Sequence, residues 1–465
     1  MPLPTLSGRQ HQVAYMTTAG HYVIQGTAGS GKTVMAIVRA GHLARAASPN
    51  SGPTLLITHT NSLVTYLRYL ADGEVTGVTI ETYSKFARGY LSTLGLMSWN
   101  SIADDDADLY LKQAIAEKIA GTIPRPNFYD RPFDFFKDEL DWLAGVGLDT
   151  EDAYLQAQRF GRKEALQTAQ RRSVWALRNR YLQIRNENGK SHDWPGIPGE
   201  LSRALAHNQD PRRYRHIVVD EAQDLSPQAI RSLAAAIQPG GSLTLFMDES
   251  QQLYGQRTSW RSVGLTVGKV ESFTDNYRNT PQIAAVALAM ASMPHFQDTP
   301  DIVMPVAPRR AAGAKPTLFK AKSSQSLAAE MARRAGTLGK SARIAVLAQT
   351  RADAKKAVSG VSGAQLLDKH MPTWDDTPGV YFGTFHAAKG LEFEIVILPF
   401  VSSDRLPPQE MVDAFGSDEA RARAARRLYV GVTRARTELL LGYVGELTDL
   451  LPNSADPVWH RVEER

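Results

Sequence analysis

The stretch His21–Thr33, HYVIQGTAGSGKT, constrains this chain more than any other. Tyr22, Val23 and Ile24 make a short apolar run, long enough for a buried strand. The stretch ends in Gly26-x-x-x-x-Gly31-Lys32-Thr33, the spacing of a phosphate-binding loop. Glycines let backbone N–H groups turn inward and cradle phosphate oxygens. A helix expected from about Lys32 to Ala47 points its positive N-terminal end at the same charge. Gly26, Thr27, Ala28, Gly29, Ser30 and Gly31 would wrap the phosphates, Lys32 would reach the β and γ groups, and Thr33 would ligate Mg²⁺. Upstream, Gln10 carries an amide that both donates and accepts, as recognition of an adenine edge requires.

The apolar runs that follow alternate with helical stretches, which predicts a parallel sheet covered by helices on both faces. Thr54–Thr58 and Val78–Ile80 read as strands. They deliver His59, Thr60 and Asn61, and then Thr82–Lys85, to the C-terminal edge where ligands of such sheets bind. Residues 89–211 break the pattern and read as a helical insertion, with helices over Asp104–Ala120, Phe133–Gly145 and Glu151–Asn186. From Arg159 to Lys190 there are nine Lys and Arg against two Asp and Glu, and Arg171, Arg178 and Arg185 recur every seven residues on one face. That face is either solvated or a phosphate contact.

The strand pattern resumes at His216–Val219 and ends in Asp220-Glu221. An apolar strand with two carboxylates at its end suits Asp220 to the Mg²⁺ shell and Glu221 to polarising a water. Leu243–Asp248 is another strand, followed by Gln251, a candidate γ-phosphate sensor. A second α/β unit is expected from about residue 272, with no phosphate loop of its own. Its Arg278 and Arg434 are what a facing domain would supply to a bound nucleotide. A helix rich in Arg and Ala is expected over Asp418–Arg427.

Composition excludes some chemistry. The chain of 465 residues has no Cys, hence no disulfide and no thiolate nucleophile or ligand. Lys and Arg number 53 against 48 Asp and Glu, a net charge of +5 compatible with a nucleic-acid partner. With no signal pattern or membrane-length apolar run, the expected setting is soluble and cytoplasmic.

In order along the chain, GTAGSGKT, THTN, ETYSKF, VVDEAQD, DESQQLY, NYRNT, GTFHAAKGLEF and RRLYVGVTRAR resemble the motifs of superfamily 1 DNA helicases of the UvrD, Rep and PcrA type. They span Gln10 to Arg436. The resemblance implies two RecA-like domains with ATP and Mg²⁺ in the cleft between them. It implies ATP-driven movement, 3′-to-5′, on single-stranded DNA or a 3′-tailed duplex. The divisions would be 1–88 and 212–271 for the first RecA-like domain, 89–211 for the insertion and 272–465 for the second. By matching positions, Gln10 and Tyr277 are implied at adenine. Lys32, Thr33, Asp220 and Glu221 are implied at phosphate, Mg²⁺ and water. Gln251, Arg278, Glu392 and Arg434 are implied at γ-phosphate or ribose, the arginines as fingers. His59, Thr60, Asn61, Tyr83 and His386 are implied at DNA.

Three departures stand out. Val34 replaces an Arg that packs on adenine in the family. Gln256 replaces a Trp on which a base stacks, with Trp260 nearby as a substitute or a core residue. The large domain the family inserts between NYR and GTFHAAKG is reduced to at most the loop 361–379. These departures set a motor working alone beside a translocase or sensor ATPase acting with a nuclease or a repair or defence partner. A small-molecule kinase would not need a second domain bearing HAAKGLEF and VGVTRA. A dead binding module would be expected to lose Lys32, Glu221 or Arg434, all of which are present.

Overall fold

A computed structural model describes residues 3–464 except 7, 17–18, 28, 73–74, 122–126, 160–161, 163, 208–211, 249–259, 298–309, 369–370, 372–373 and 375–376. The strands in chain order are β1 (Gly20–Gly26), β2 (Thr54–Thr58), β3 (Val78–Thr82), β4 (Ile102–Ala103), β5 (His192–Asp193), β6 (Tyr214–Val219), β7 (Ile237–Met247) and β8 (Val267–Phe273). They continue with β9 (Thr317–Ala321), β10 (Arg343–Ala348), β11 (Gln365–Leu366), β12 (Gly379–Thr384), β13 (Phe393–Leu398), β14 (Ala435–Val444) and β15 (His460–Glu463).

Two parallel sheets result, as expected for two RecA-like units. One has six strands in the order β3-β2-β6-β7-β1-β8, the other seven in the order β11-β12-β10-β13-β14-β9-β15. Strands such as β2 and β10 are buried along their whole length, because helices cover both faces. Successive residues point to opposite faces, so Ile24 joins one apolar cluster and Val23 another. The Ile24 cluster continues through Met35, Leu63 and Leu67 into Ala388, Leu391, Phe393 and Leu428 of the second unit. The two sheets therefore share one apolar core beside the cleft. Leu63 packs on Gly390, and the Tyr66 and Trp374 rings lie 5.1 Å apart.

Between β3 and β6 the chain folds as helices around Phe135, Phe136, Tyr154 and Trp175. The expected helix Glu151–Asn186 is two helices, Glu151–Gln156 and Thr168–Glu187. Arg171 explains the break: its Nη1 donates to Tyr154 O, Leu155 O and Ala157 O, capping the end of the first helix. Arg185 is buried against Asp193 at 2.6 Å. Both are structural, so the arginine repeat is not a free phosphate-binding face. Arg178 lies over the Trp175 ring.

In the second unit the Arg- and Ala-rich helix runs from Ser417 to Thr433, six residues beyond the expected end. Gly431 permits this, because a Cβ there would meet Phe385 Cδ1 at 2.9 Å. Arg434 follows at once as its C-cap. Among the described residues, no helix is long and apolar enough to cross a membrane.

Candidate nucleotide site and cleft

β1 ends at Gly26 and the helix Lys32–Ala44 begins six residues later. Gly29 and Gly31 sit at φ of 81° and 84°, a region that disfavours other residues. A Cβ on Gly29 would lie 2.3 Å from Asn276 Oδ1, so the loop also needs glycine for close packing. Gly31 caps the helix without a side-chain hydrogen bond, leaving the first-turn N–H groups for an anion. Lys32 Nζ donates to Gly26 O at 2.7 Å and Thr27 O at 2.8 Å, and lies 4.0 Å from Asp248.

β6 carries Asp220 to the same place. Thr33 Oγ1 donates to Asp220 Oδ2 at 2.9 Å, while Asp220 Oδ1 is buried with no hydrogen-bond partner. Two adjacent hard oxygens, one carboxylate atom among them unsatisfied, fit Mg²⁺. Burial and the neighbouring Glu221 push the Asp220 carboxyl up from its ordinary value. Glu221 is held down despite burial, because Lys389, Lys32 and Arg434 surround it with positive charge. Its backbone is at φ 58°, unusual for a residue with a side chain and costing about 1–3 kcal/mol. Gln223 pins it: the amide donates to Glu221 Oε2, and Gln223 Oε1 accepts from Asp248 N at 3.1 Å.

The opposite wall begins after β8. Thr27 N donates to Phe273 O and Tyr277 N to Gly29 O at 2.8 Å, fastening the phosphate loop to the link between the sheets. Tyr277 is 38% exposed beside it, with its hydroxyl on Asp275. Gln10 is buried, and its amide donates to Ser30 O at 3.0 Å. Arg278 Nε donates to Glu392 Oε1 at 2.7 Å, so these two candidates meet directly. Arg434 is buried, donating to Val430 O and Thr433 Oγ1. Burial and Arg278 draw its guanidinium down to about 10, while Glu221, Glu392 and Asp248 oppose this. Asn279 Nδ2 donates to Thr433 O and Ala435 O, fixing the Arg278 turn on the Arg434 turn.

At the strand ends, Thr60 caps the helix Asn61–Ala71 by accepting from Leu63 N. His59 and His386 meet edge to face at 5.4 Å. Tyr83, implied at DNA, is instead a core residue: it is 7% exposed and its hydroxyl lies 2.7 Å from Ser232 Oγ. Thr82 caps the helix Tyr83–Thr93, whose first residue turns inward. Trp260 packs against the apolar cluster of the first sheet. Ala28, Gln251 and Gln256 lie outside the described residues. Gln223, Asn279 and the Lys389–Asp224 ion pair had no assigned role in the sequence reading. Gln223 and Lys389 at least lie within the motifs DEAQD and HAAKGLEF.

A loop of phosphate-binding spacing and a strand-end Asp-Glu pair stand beside Arg278 of the link between the sheets and Arg434 of the second unit, the fold and site pattern of the two-sheet phosphate-loop class. Two family descriptions match the chain: the UvrD/REP helicase N-terminal domain over residues 6–266 and the UvrD-like helicase C-terminal domain over residues 361–446. The chain belongs to the UvrD/Rep helicase family. It is similar to the ATP-dependent DNA helicase UvrD1 of Mycobacterium leprae (strain TN), 26% identical over 312 residues that cover 60% of this chain and 37% of that protein. UvrD1 of Mycobacterium tuberculosis (strain ATCC 25618 / H37Rv) matches at 26% over 308 residues, with the same coverage of 60% and 37%. The ATP-dependent DNA helicase Rep of Buchnera aphidicola subsp. Acyrthosiphon pisum is 37% identical over 76 residues, 15% of this chain and 11% of that protein. The chain thus spans little more than a third of the UvrD1 relatives it matches.

Proposed function

We propose that the chain is an ATP-driven motor that moves 3′-to-5′ on single-stranded DNA and hydrolyses ATP between its two sheets. The observation that carries this is the convergence on Glu221 of Lys32 from the first sheet with Arg434 and Lys389 from the second. In this reading the loop Gly26–Gly31 and Lys32 bind the phosphates, and Gln10 and Tyr277 border the base. Thr33 and Asp220 would hold Mg²⁺, which neutralises phosphate charge when bound. Glu221, kept ionised and aimed by Gln223, accepts the proton of the attacking water. Arg278 and Arg434 stabilise charge developing on the γ-phosphate. Fingers of this kind contribute about 10³–10⁵ in rate in related phosphoryl transfers. His59, Thr60, Asn61 and His386 sit where strand ends of both sheets would meet the DNA.

The second reading, a translocase or sensor subunit that acts with a nuclease or other partner, uses the same site. It is favoured by the segment between Arg278 and His386, which β9–β12 and their helices occupy.

The test is ATP turnover of the purified chain with and without single-stranded DNA, followed by displacement of a streptavidin block from either oligonucleotide end. Stimulation by DNA with displacement from the 5′ end only is expected. Turnover indifferent to DNA would sink the reading. Arg278→Ala and Arg434→Ala should each lower turnover by the factor above with little change in ATP affinity, and a loss confined to affinity would remove the finger assignment.

A further inference from the structure

Arg39 lies on the helix Lys32–Ala44, about two turns beyond Lys32, and is 0% exposed. Its Nε donates to Thr244 Oγ1 of β7 at 2.8 Å. Its Nη1 donates to Met16 O at 2.7 Å and to Val13 O at 3.1 Å. The guanidinium also lies over the Tyr22 ring of β1, 5.3 Å from its centre. Among the described residues no carboxylate pairs with it. Burial draws Arg39 down to about 10, so it remains charged at neutral pH. A charge taken out of water without a counter-ion is costly, and an apolar side chain of similar length would fill the same space. An apolar side chain could not bond the two carbonyls.

Those carbonyls belong to the end of the helix Gly8–Ala14 and the turn after it. A helix of seven residues does not hold by itself, and its last carbonyls have no partner within it. Arg39 supplies donors and positive charge at that end, where the helix dipole favours both. Gln10 lies about one turn upstream on the same short helix. Its amide donates to Ser30 O at 3.0 Å, and a Cβ on Gly31 would come 3.1 Å from Gln10 Nε2. Gln10 therefore rests against the phosphate loop while Arg39 grips the far end of its helix. Both contacts refer to one element, since Ser30 and Gly31 lead directly into the helix that carries Arg39. The bond to Ser30 uses one amide hydrogen and leaves Oε1 with the second hydrogen. That acceptor and donor match the N6 donor and N7 acceptor of adenine, and Oε1 would oppose the O6 acceptor of guanine.

We propose that Arg39 is a positioning residue for base selection: it holds the helix Gly8–Ala14 so that the Gln10 amide meets adenine and rejects guanine. The inference rests on the reading above that puts Gln10 at the base, and adds the group that fixes its place. In this role Arg39 touches no nucleotide and acts through Gln10.

The experiment measures steady-state turnover of MgATP and MgGTP by the full chain with oligo(dT). The proteins are wild type, Gln10→Ala, Arg39→Met, Arg39→Lys and the Gln10→Ala/Arg39→Met double variant. Gln10→Ala is expected to lower the preference in kcat/KM for ATP over GTP by about two- to ten-fold, the factor that one hydrogen bond between neutral groups carries. Arg39→Met is expected to lower it by a similar factor, through KM for ATP rather than kcat. The double variant is expected to match Gln10→Ala, because both changes remove the same interaction. An arginine that only stabilises the fold would change ATP and GTP alike, or add its full loss to that of Gln10→Ala, and either result overturns the positioning role. Thermal melting monitors folding. If Arg39→Met melts early, Arg39→Lys carries the comparison, since it keeps the charge on a single nitrogen in place of the fork. A wild-type ATP preference in the folded Arg39 variant, with the preference lost in Gln10→Ala, overturns the inference alone. Absence of an ATP preference in wild type, or its survival in Gln10→Ala, overturns the base reading and the inference together.

Discussion

Lys389 Nζ donates to Asp224 Oδ1 at 2.6 Å, joining the loop after β12 to the turn after β6 across the cleft. The side chains are 9% and 2% exposed. One residue follows His386 at the strand-end edge, and the other follows Glu221 and Gln223 at the nucleotide site. The pair is therefore a direct polar connection between the two places where the motor reading puts its ligands.

Removing one partner leaves the other as a buried, uncompensated charge, which typically costs about 3–5 kcal/mol. Lys389→Met is expected to lower unfolding free energy on that scale. Lys389→Met combined with Asp224→Leu is expected to recover most of the loss, since neither charge then remains. Denaturant unfolding of the four proteins of this cycle provides the measurement, and simple additivity of the two single losses would contradict direct pairing.

Glu221 and Lys32 separate chemistry from binding. Glu221→Gln retains shape and hydrogen bonding toward Gln223, so ATP binding is expected to persist while turnover falls below detection. Lys32→Ala removes the cation nearest the loop carbonyls and is expected to weaken ATP binding as well. Fluorescent-nucleotide titration beside steady-state turnover distinguishes the two, and wild-type turnover in Glu221→Gln would remove the general-base assignment.

His386 keeps part of its surface open to solvent but sits inside the cleft, and it is expected to titrate at about 4 rather than 6.5, because this partial enclosure disfavours its charged form and His59 and Lys389 add repulsion. Between those values the unfolded ring binds a proton that the folded ring does not. The stability linked to this group is complete above pH 6.5 and declines as pH falls towards 4. His59→Asn removes one source of repulsion and should move the transition upward. Histidine ring signals followed by NMR through a pH titration give the value directly, and an ordinary transition near 6.5 would refute the crowding.

Tyr83 should behave as core. Tyr83→Phe keeps the ring against Phe86 and removes only the hydroxyl bonded to Ser232, at a cost of about 0.5–1.5 kcal/mol. Unchanged oligonucleotide affinity in a slightly less stable protein is expected. A large loss of affinity at unchanged stability would restore Tyr83 to the DNA face.

Much of this was legible in the sequence where local chemistry decides structure. β2 and β10 are uninterrupted apolar runs, and the loop Gly26–Gly31 announces itself by glycine spacing. β8 was not legible, since Gly268, Lys269 and Glu271 interrupt its pattern and pairing with β1 holds it. β15 is four largely polar residues stabilised as an edge on β9. The inward turn of Tyr83 depends on Ser232, 149 residues away, and the Lys389–Asp224 ion pair spans 165. Arg171 and Arg185 share a heptad face on paper, yet each is consumed by a neighbouring element that composition does not reveal.

That last point bears on strand separation. A motor needs only two sheets that close and open on ATP to move along a strand. Unwinding also requires a surface that holds or wedges the duplex. In the described chain the residues between Arg278 and His386 build β9–β12 and their helices, and the arginine-rich helix Thr168–Glu187 directs Arg171 and Arg185 inward. Arg171 and Arg185 are thereby taken up by neighbouring elements rather than left for a duplex. The purified chain is therefore expected to displace a streptavidin block from single-stranded DNA far more efficiently than it unwinds a 3′-tailed duplex of comparable length. The comparison uses one oligonucleotide with and without its complement, at equal ATP turnover. Processive unwinding by the chain alone would show that the insertion's other surfaces suffice to handle the duplex, and would favour the lone-helicase reading over action with a partner.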